Sequence, residues 1–257
     1  MSYVNYEVIE RTGCITLSRP EKRNALNFEV VQQLKEAFKN AENDSNVKIV
    51  VLRSQGEVFC AGADLEYLQQ LQQNSYEDNL KDSMNLMELY KLIYELKKVV
   101  IAQVNGHAIA GGAGLVSVCD FSFTVPTANF GYTEVKIGFI PAIVSVFLLK
   151  KIGEAKTKEL LLSGHTISAI DAKHIGLVNF IEDSNKLENT VMEFAEKLAV
   201  SNSGMSMEFT KKLISQVQDL DLNQGLLFAA EMNAKARSTD DCKKGISSFL
   251  KKEKLSW

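Results

Sequence analysis

The sequence predicts a layered α/β protein with parallel strands, followed by a helical C-terminal appendage. Three observations lead there. Short apolar runs at 47–53 (VKIVVLR) and 99–104 (VVIAQV) have the composition of strands covered on both faces. Segments with apolar residues at helical spacing alternate with such runs. From residue 187 to the end, helical spacing continues without a further strand.

Residues 3–18 alternate and are partly β-branched (YVNYEVIE, then CITLS), with Arg11-Thr12-Gly13 as the turn of a hairpin. Arg19-Pro20 ends it. Asn27 is the expected N-cap of a helix in FEVVQQLKEAFKNAEND, with Val30, Leu34, Ala37, Phe38 and Ala41 on its inner face. The buried strand at 47–53 is followed by SQGEVFCAGADL, a glycine-bearing loop that opens another helix. Residues 65–98 begin glutamine-rich, the mark of a solvated helix start. They then turn amphipathic, with Leu86, Leu89, Tyr90, Ile93 and Leu96 together. A strand at 99–104, a short helix at 113–118 and a strand at 121–125 come next. Phe130-Gly131-Tyr132 reads as a short strand, with Pro141 soon after. Helices are expected at 142–152, 155–162 and, capped by Ser168, at 168–174; the last strand is expected at 177–181.

At 257 residues, 46% of them hydrophobic and 24% charged, the chain is long enough for one large domain or a domain with an appendage. A net charge of −3 gives no global attraction to nucleic acid or anionic membrane. Cys14, Cys60, Cys119 and Cys242 are far apart and lack histidines at ligand spacing, so neither a zinc site nor a disulfide framework is expected. The opening MSYVNYEVIERTG has no apolar signal core, and no uncharged run approaches the ~18–20 residues of a membrane span. A mature protein starting near Met1, soluble and cytoplasmic, is expected.

Two loops carry the chemistry. One is Phe59-Cys60-Ala61-Gly62-Ala63-Asp64-Leu65, the other Ala110-Gly111-Gly112-Ala113-Gly114; each leads into a helix. Glycines there let main-chain N–H groups approach a ligand oxygen at a helix N-terminus, and two such donors on one carbonyl oxygen make an oxyanion hole. The commoner reading of such small-residue clusters is close packing of helix on strand. No GxxxxGK[ST] and no GxGxxG with a following acid occurs, which disfavours ATP and NAD. Glu134, within GYTEVKIGFIP, is a carboxylate in apolar and aromatic surroundings suited to moving a proton. The alternative is a surface glutamate paired with Lys136. Asp64 reads as a cap or loop hydrogen-bonder and Asp120 as structural, while His107, His165 and His174 are scattered packing or solvent residues.

Taken together, RPEKRNALN at 19–27, FCAGADL at 59–65, VIAQVNGHAIAGGAGL at 100–115, CDF at 119–121, ANFGYTEVKIGFIP at 128–141 and the ending GISSFLKKEKLSW resemble the enoyl-CoA hydratase/isomerase (crotonase) family in order and spacing. The resemblance implies a spiral of ββα repeats over 1–195 and a helical oligomerisation region over 196–257, giving a homotrimer or dimer of trimers. It implies acyl-CoA thioester substrates and no cofactor beyond the CoA that the substrate carries. It implies an oxyanion hole from the N–H groups of Ala63 and Gly111, with Glu134 as the catalytic acid–base. Lys22, Arg23, Ala25, Ala61, Asp64 and Leu65 match positions that line the CoA groove. Phe249 and Lys252 match residues that reach CoA from the C-terminal helix, often across a subunit boundary.

The sequence departs from the family at Gly114, where hydratases with two catalytic glutamates carry the first, and its absence is expected to leave room for a second water or a bulkier acyl group. Ile140-Pro141-Ala142 and the IVSVFLL that follows replace a glycine-rich continuation, and the run EVKIGFIPAIVSVFLLKKIG looks like the methylglutaconyl-CoA hydratase branch. The resemblance thus implies hydration of a 2-enoyl-CoA, with 3-methylglutaconyl-CoA as a candidate substrate. A Δ3,Δ2-enoyl-CoA isomerase using a single glutamate is the second expectation. RNA binding through 30–44 is a minor third, weakened because Lys35 and Lys39 are matched by Glu36, Glu42 and Asp44.

Overall fold

The computed structural model describes residues 2–257. It opens with the antiparallel hairpin of β1 (Val4–Ile9) and β2 (Thr12–Leu17). The turn is Glu10-Arg11, with Glu10 at φ 52, and not Arg11-Thr12-Gly13. Gly13 lies within β2 opposite Val8, where a Cβ would come 3.1 Å from the Tyr6 ring. The glycine admits an aromatic ring and makes no turn.

Helix α1 (Phe28–Asn43) starts where expected, because the Asn27 side chain accepts a hydrogen bond from the Val30 N–H. Its expected inner face is buried, and Val31 joins it. After α1 the chain repeats one pattern three times: a long strand, a short strand, then helix. The first turn is β3 (Ile49–Ser54), β4 (Val58–Cys60), α2 (Leu65–Leu71) and α3 (Tyr76–Glu95). The second is β5 (Val99–Val104), β6 (His107–Ile109) and α4 (Gly111–Val118). The third is β7 (Phe121–Thr124), β8 (Asn129–Gly131), a 3-10 turn at Glu134–Ile137 and α5 (Ala142–Ser163). The strand β9 (Thr166–Ser168), helix α6 (Ala169–His174) and strand β10 (Phe180–Ile181) complete the body.

Long and short strands go to different sheets. The six-stranded sheet runs β1-β2-β3-β5-β7-β10 and is parallel from β2 onward. The four-stranded sheet runs β4-β6-β8-β9, parallel except for β9. Each ββα turn therefore adds one strand to each sheet, which is the expected spiral. Helix α5 joins the two helices expected at 142–152 and 155–162 across a kink at Gly153 (φ 76, ψ 170).

Helix α7 (Leu187–Ser201) packs on the six-stranded sheet, burying Leu187, Val191, Ala195 and Ala199. The boundary expected at 195/196 thus falls inside a helix that is anchored on the sheet as far as Ala199. The tail is α8 (Gly204–Val217), α9 (Leu222–Ser238) and α10 (Asp240–Lys251), with α9 packed between the other two. No helix among the described residues is long and apolar enough to cross a membrane.

Candidate active site

Strands β4, β6 and β8 lie side by side and parallel, so their C-terminal ends share one edge of the small sheet. Ala63, Gly111 and Glu134 each lie just beyond one of those ends. That edge is where open α/β sheets gather ligands.

In the first loop Gly62, at φ +91, turns its carbonyl to accept from the Leu26 N–H at 2.7 Å, and the Asp64 N–H donates to Leu26 O at 2.8 Å. In a trans peptide the carbonyl and N–H point opposite ways. The Ala63 N–H, which shares its peptide with the Gly62 carbonyl, therefore points away from Leu26. The second loop repeats the device. The Ala110 N–H donates to Gly131 O at 2.7 Å, and Ala110 O accepts from the Gly114 N–H at 3.0 Å, which turns the Gly111 N–H outward. Ala110 holds φ 51 and ψ −121, a strained conformation for a residue with a side chain. The loops abut: a Cβ on Gly62 would lie 2.8 Å from Ala110 Cβ and 3.5 Å from Gly111 N. The partial positive charge at the start of α4 adds to the N–H field.

Glu134 is the first residue of the 3-10 turn. Its Oε2 is buried without a hydrogen-bond partner, and burial pushes its carboxyl above the usual range, opposed only by its own backbone N–H. The alternative pairing with Lys136 does not form, for no ion pair to Glu134 exists among the described residues, and Lys136 is exposed. Tyr132, fully buried, donates from its hydroxyl to Ala113 O at 3.3 Å and ties this segment to α4. Cys60 lies beside the loops, but burial pushes its thiol up to about 12, so it supplies no thiolate. Among the described residues no three His, Cys, Asp or Glu gather as metal ligands.

Gly114 carries a correction. The room expected over it is filled: a Cβ there would come 2.5 Å from Val144 Cγ1 and 2.7 Å from the Tyr90 hydroxyl. Neither a second water nor a larger acyl group gains space at that spot.

The remaining positions divide. Ala25 is buried, Ala61 donates its N–H to Arg23 O at 3.0 Å, and Arg23 holds the left-handed φ of 52, so all three shape the first loop. Asp64 caps α2 through the Glu66 and Tyr67 N–H groups, as its reading as a cap requires, and pairs with Arg19 at 2.6 Å. Burial pushes its carboxyl up, but the Arg19 guanidinium and those N–H groups outweigh burial and hold it below the usual carboxylate range. Lys22 pairs with Glu66 at 2.6 Å on the surface, and Leu65 is 75% exposed. Phe249, 82% exposed on α10, and Lys252 at its end belong to the tail and make no described contact with the loops.

Three residues escaped the sequence reading. Arg19, read as a strand terminator, also reaches Ala25 O. Buried Asn24 donates to Gln55 O and Val58 O, both at 2.8 Å, and accepts from the Arg19 N–H, fastening the 19–26 segment to β4. Tyr90 lies on the apolar face of α3 with its hydroxyl at the start of α4. Only the polar end of an otherwise core-like tyrosine could have signalled it.

The family model described as enoyl-CoA hydratase/isomerase matches residues 9–257. The chain belongs to that family. A Thermus thermophilus relative named "Putative enoyl-CoA hydratase" is 41% identical over 93% of this chain and 94% of its own. The short-chain-enoyl-CoA hydratase of Clostridium acetobutylicum is 32% identical over 98% of this chain and 97% of its own. Among solved structures, an enoyl-CoA hydratase from Mycobacterium smegmatis superimposes with a TM-score of 0.94 at 28% identity, covering 100% of this chain and 99% of that one. The spiral of ββα repeats is thus common to this chain and its structural neighbours.

Proposed function

We propose that this member of the enoyl-CoA hydratase/isomerase family hydrates a 2-enoyl-CoA thioester through an oxyanion-stabilised enolate. The observation that carries the reading is the Glu134 carboxylate, whose Oε2 is buried without a partner, at the same sheet edge as the two outward-turned N–H groups of Ala63 and Gly111. The thioester carbonyl oxygen accepts from both N–H groups. Ionised Glu134 takes a proton from water as its oxygen adds to C3, and the C2–C3 double-bond electrons move toward the thioester oxygen. Protonated Glu134 then returns the proton to C2. Water's hydroxyl ends on C3 and its proton on C2, so the balance closes with no cofactor beyond substrate-borne CoA. The enoyl-CoA hydratase names of the relatives support this reading.

The filled space over Gly114 favours a second reading, Δ3,Δ2-enoyl-CoA isomerisation, in which one carboxylate lifts a proton from C2 and delivers it to C4. A panel of enoyl-CoA esters including crotonyl-, 3-methylglutaconyl- and 3-hexenoyl-CoA, incubated in heavy water and read by mass, separates the two. Hydration gives 3-hydroxyacyl products from the first two. Deuterium at C4 of the hexenoyl ester with no hydroxy product establishes isomerisation instead. No turnover of any ester sinks both.

A homotrimer or dimer of trimers accompanies this reading. Leu222, Leu226, Leu227, Phe249 and Leu250 are each more than 60% exposed on α9 and α10, more apolar surface than a lone tail would leave wet. A neighbouring copy that covers them would bring Phe249 and Lys252 to its CoA groove, beside Lys22 and Leu65. Elution at monomer mass in gel filtration would contradict this.

A further inference from the structure

We infer that Tyr90 is a positioning residue of the proposed reaction, its hydroxyl holding Gly111 so that the Gly111 N–H keeps its aim. The inference rests on the oxyanion reading above and adds to it a residue from outside both loops.

Tyr90 is fully buried on α3, and its ring meets Phe147 of α5 edge-on, with centroids 6.2 Å apart. A phenylalanine would fill the same volume. The hydroxyl is what the core does not require, since a buried O–H must find an acceptor or incur a penalty. It donates to Gly111 O at 2.7 Å. A Cβ on Gly111 would lie 3.1 Å from that hydroxyl and 3.1 Å from Leu26 Cδ1, so the residue that makes room for both has no side chain by which it could be held.

Two peptides meet at Gly111. The one before it, which carries the Gly111 N–H, is tethered through Ala110 O by the Gly114 N–H. The one after it opens α4, where Gly111 O stands at an intrahelical acceptor position, and the Tyr90 hydroxyl adds a second donor to that oxygen. Glycine rotates freely about both of its backbone bonds. The direction of its N–H therefore depends on how both peptides are held, and Tyr90 strengthens the hold on the second from outside the helix. The same hydroxyl stands 2.7 Å from the place of a Gly114 Cβ, so the group that steadies the N–H donor also blocks the position from which the family's first glutamate projects. A single-carboxylate site and a tyrosine-braced donor are two aspects of one side chain.

The test uses Tyr90→Phe and acetoacetyl-CoA, whose bound enolate absorbs in the near ultraviolet and is not turned over by hydration. Absorbance is normalised to bound ligand, which removes any dependence on the folded fraction. The wild type is expected to form the enolate. Tyr90→Phe is expected to form it about tenfold less at the same pH, with a loss of about tenfold in kcat for crotonyl-CoA and KM within twofold, as for a donor displaced by less than an ångström. Unchanged enolate formation and kcat in Tyr90→Phe would overturn the inference alone. Absence of the enolate in the wild type would instead overturn the oxyanion reading on which it rests.

Discussion

Replacing Glu134 with glutamine is expected to lower kcat for enoyl-CoA hydration by about 10³-fold with little change in KM. The amide keeps the shape of the carboxylate but can neither accept the proton of water nor return one to C2. Retention of full rate would remove Glu134 from the reaction. The pH dependence carries the same assignment. Burial raises the Glu134 carboxyl above its ordinary range, and the ionised form is the base. Activity of the wild type should therefore fall as pH drops through that raised value, and the acidic limb should disappear from the residual rate of the glutamine variant. Stability moves the opposite way. A carboxyl raised in the folded state favours its neutral form there, so its contribution is fully present below the ordinary value near 4.3 and is lost as pH rises through the folded one. Removing the charge should raise the melting temperature at pH 7 and change it little near pH 4. Calorimetry at the two pH values reads this directly, and a lower melting temperature at pH 7 would contradict it.

Gly112→Ala is expected to lose about 10²–10³-fold in activity and to melt lower as well. A Cβ at 112 would lie 2.2 Å from the Cys60 carbonyl oxygen and 2.8 Å from Cys60 Cβ. The oxygen is main chain, in a strand paired to β6, and has no rotamer to escape into. The start of α4 must lift off β4, which costs about 1–3 kcal/mol of overpacking and separates the Gly111 N–H from that of Ala63. Gly225→Ala is the matched control. A Cβ there meets nothing closer than Val217 at 3.9 Å, within helix α9, so it should be neutral or stabilising. Equal activity of the two variants would show that the fit of α4 against β4 does not set the donor geometry.

Much of the architecture was legible because its signals are long or local. Helix α1 announced itself through Asn27 and a five-residue apolar face, and β3 and β5 through runs of branched side chains. Strands β4, β6 and β9 were not legible, since three residues carry no period and their pairing depends on neighbours far along the chain. Residues 177–181 promised a longer strand than Phe180–Ile181 because Leu177 and Val178 are buried while still in the turn after α6. In the candidate site, the glycine motifs and the resemblance singled out Ala63, Gly111 and Glu134, and the fold brings them to one sheet edge. The fate of the space over Gly114 was hidden, because it is decided by Tyr90 and Val144, which come from helices distant in sequence. Arg19 and Asn24 were hidden for a related reason: a turn sequence says where the chain bends and not which carbonyls its side chains will fasten.

The small sheet has a mechanical consequence. Three short strands, locked in parallel register, present both main-chain donors and the acid along a single rim. These groups shift together when the rim shifts, so motion of the tail, which makes no described contact with the loops, need not change their mutual spacing. On the proposed reading, chemistry and assembly are thereby kept apart: the rim holds the reacting groups, while the exposed apolar face of the tail is left to meet another copy.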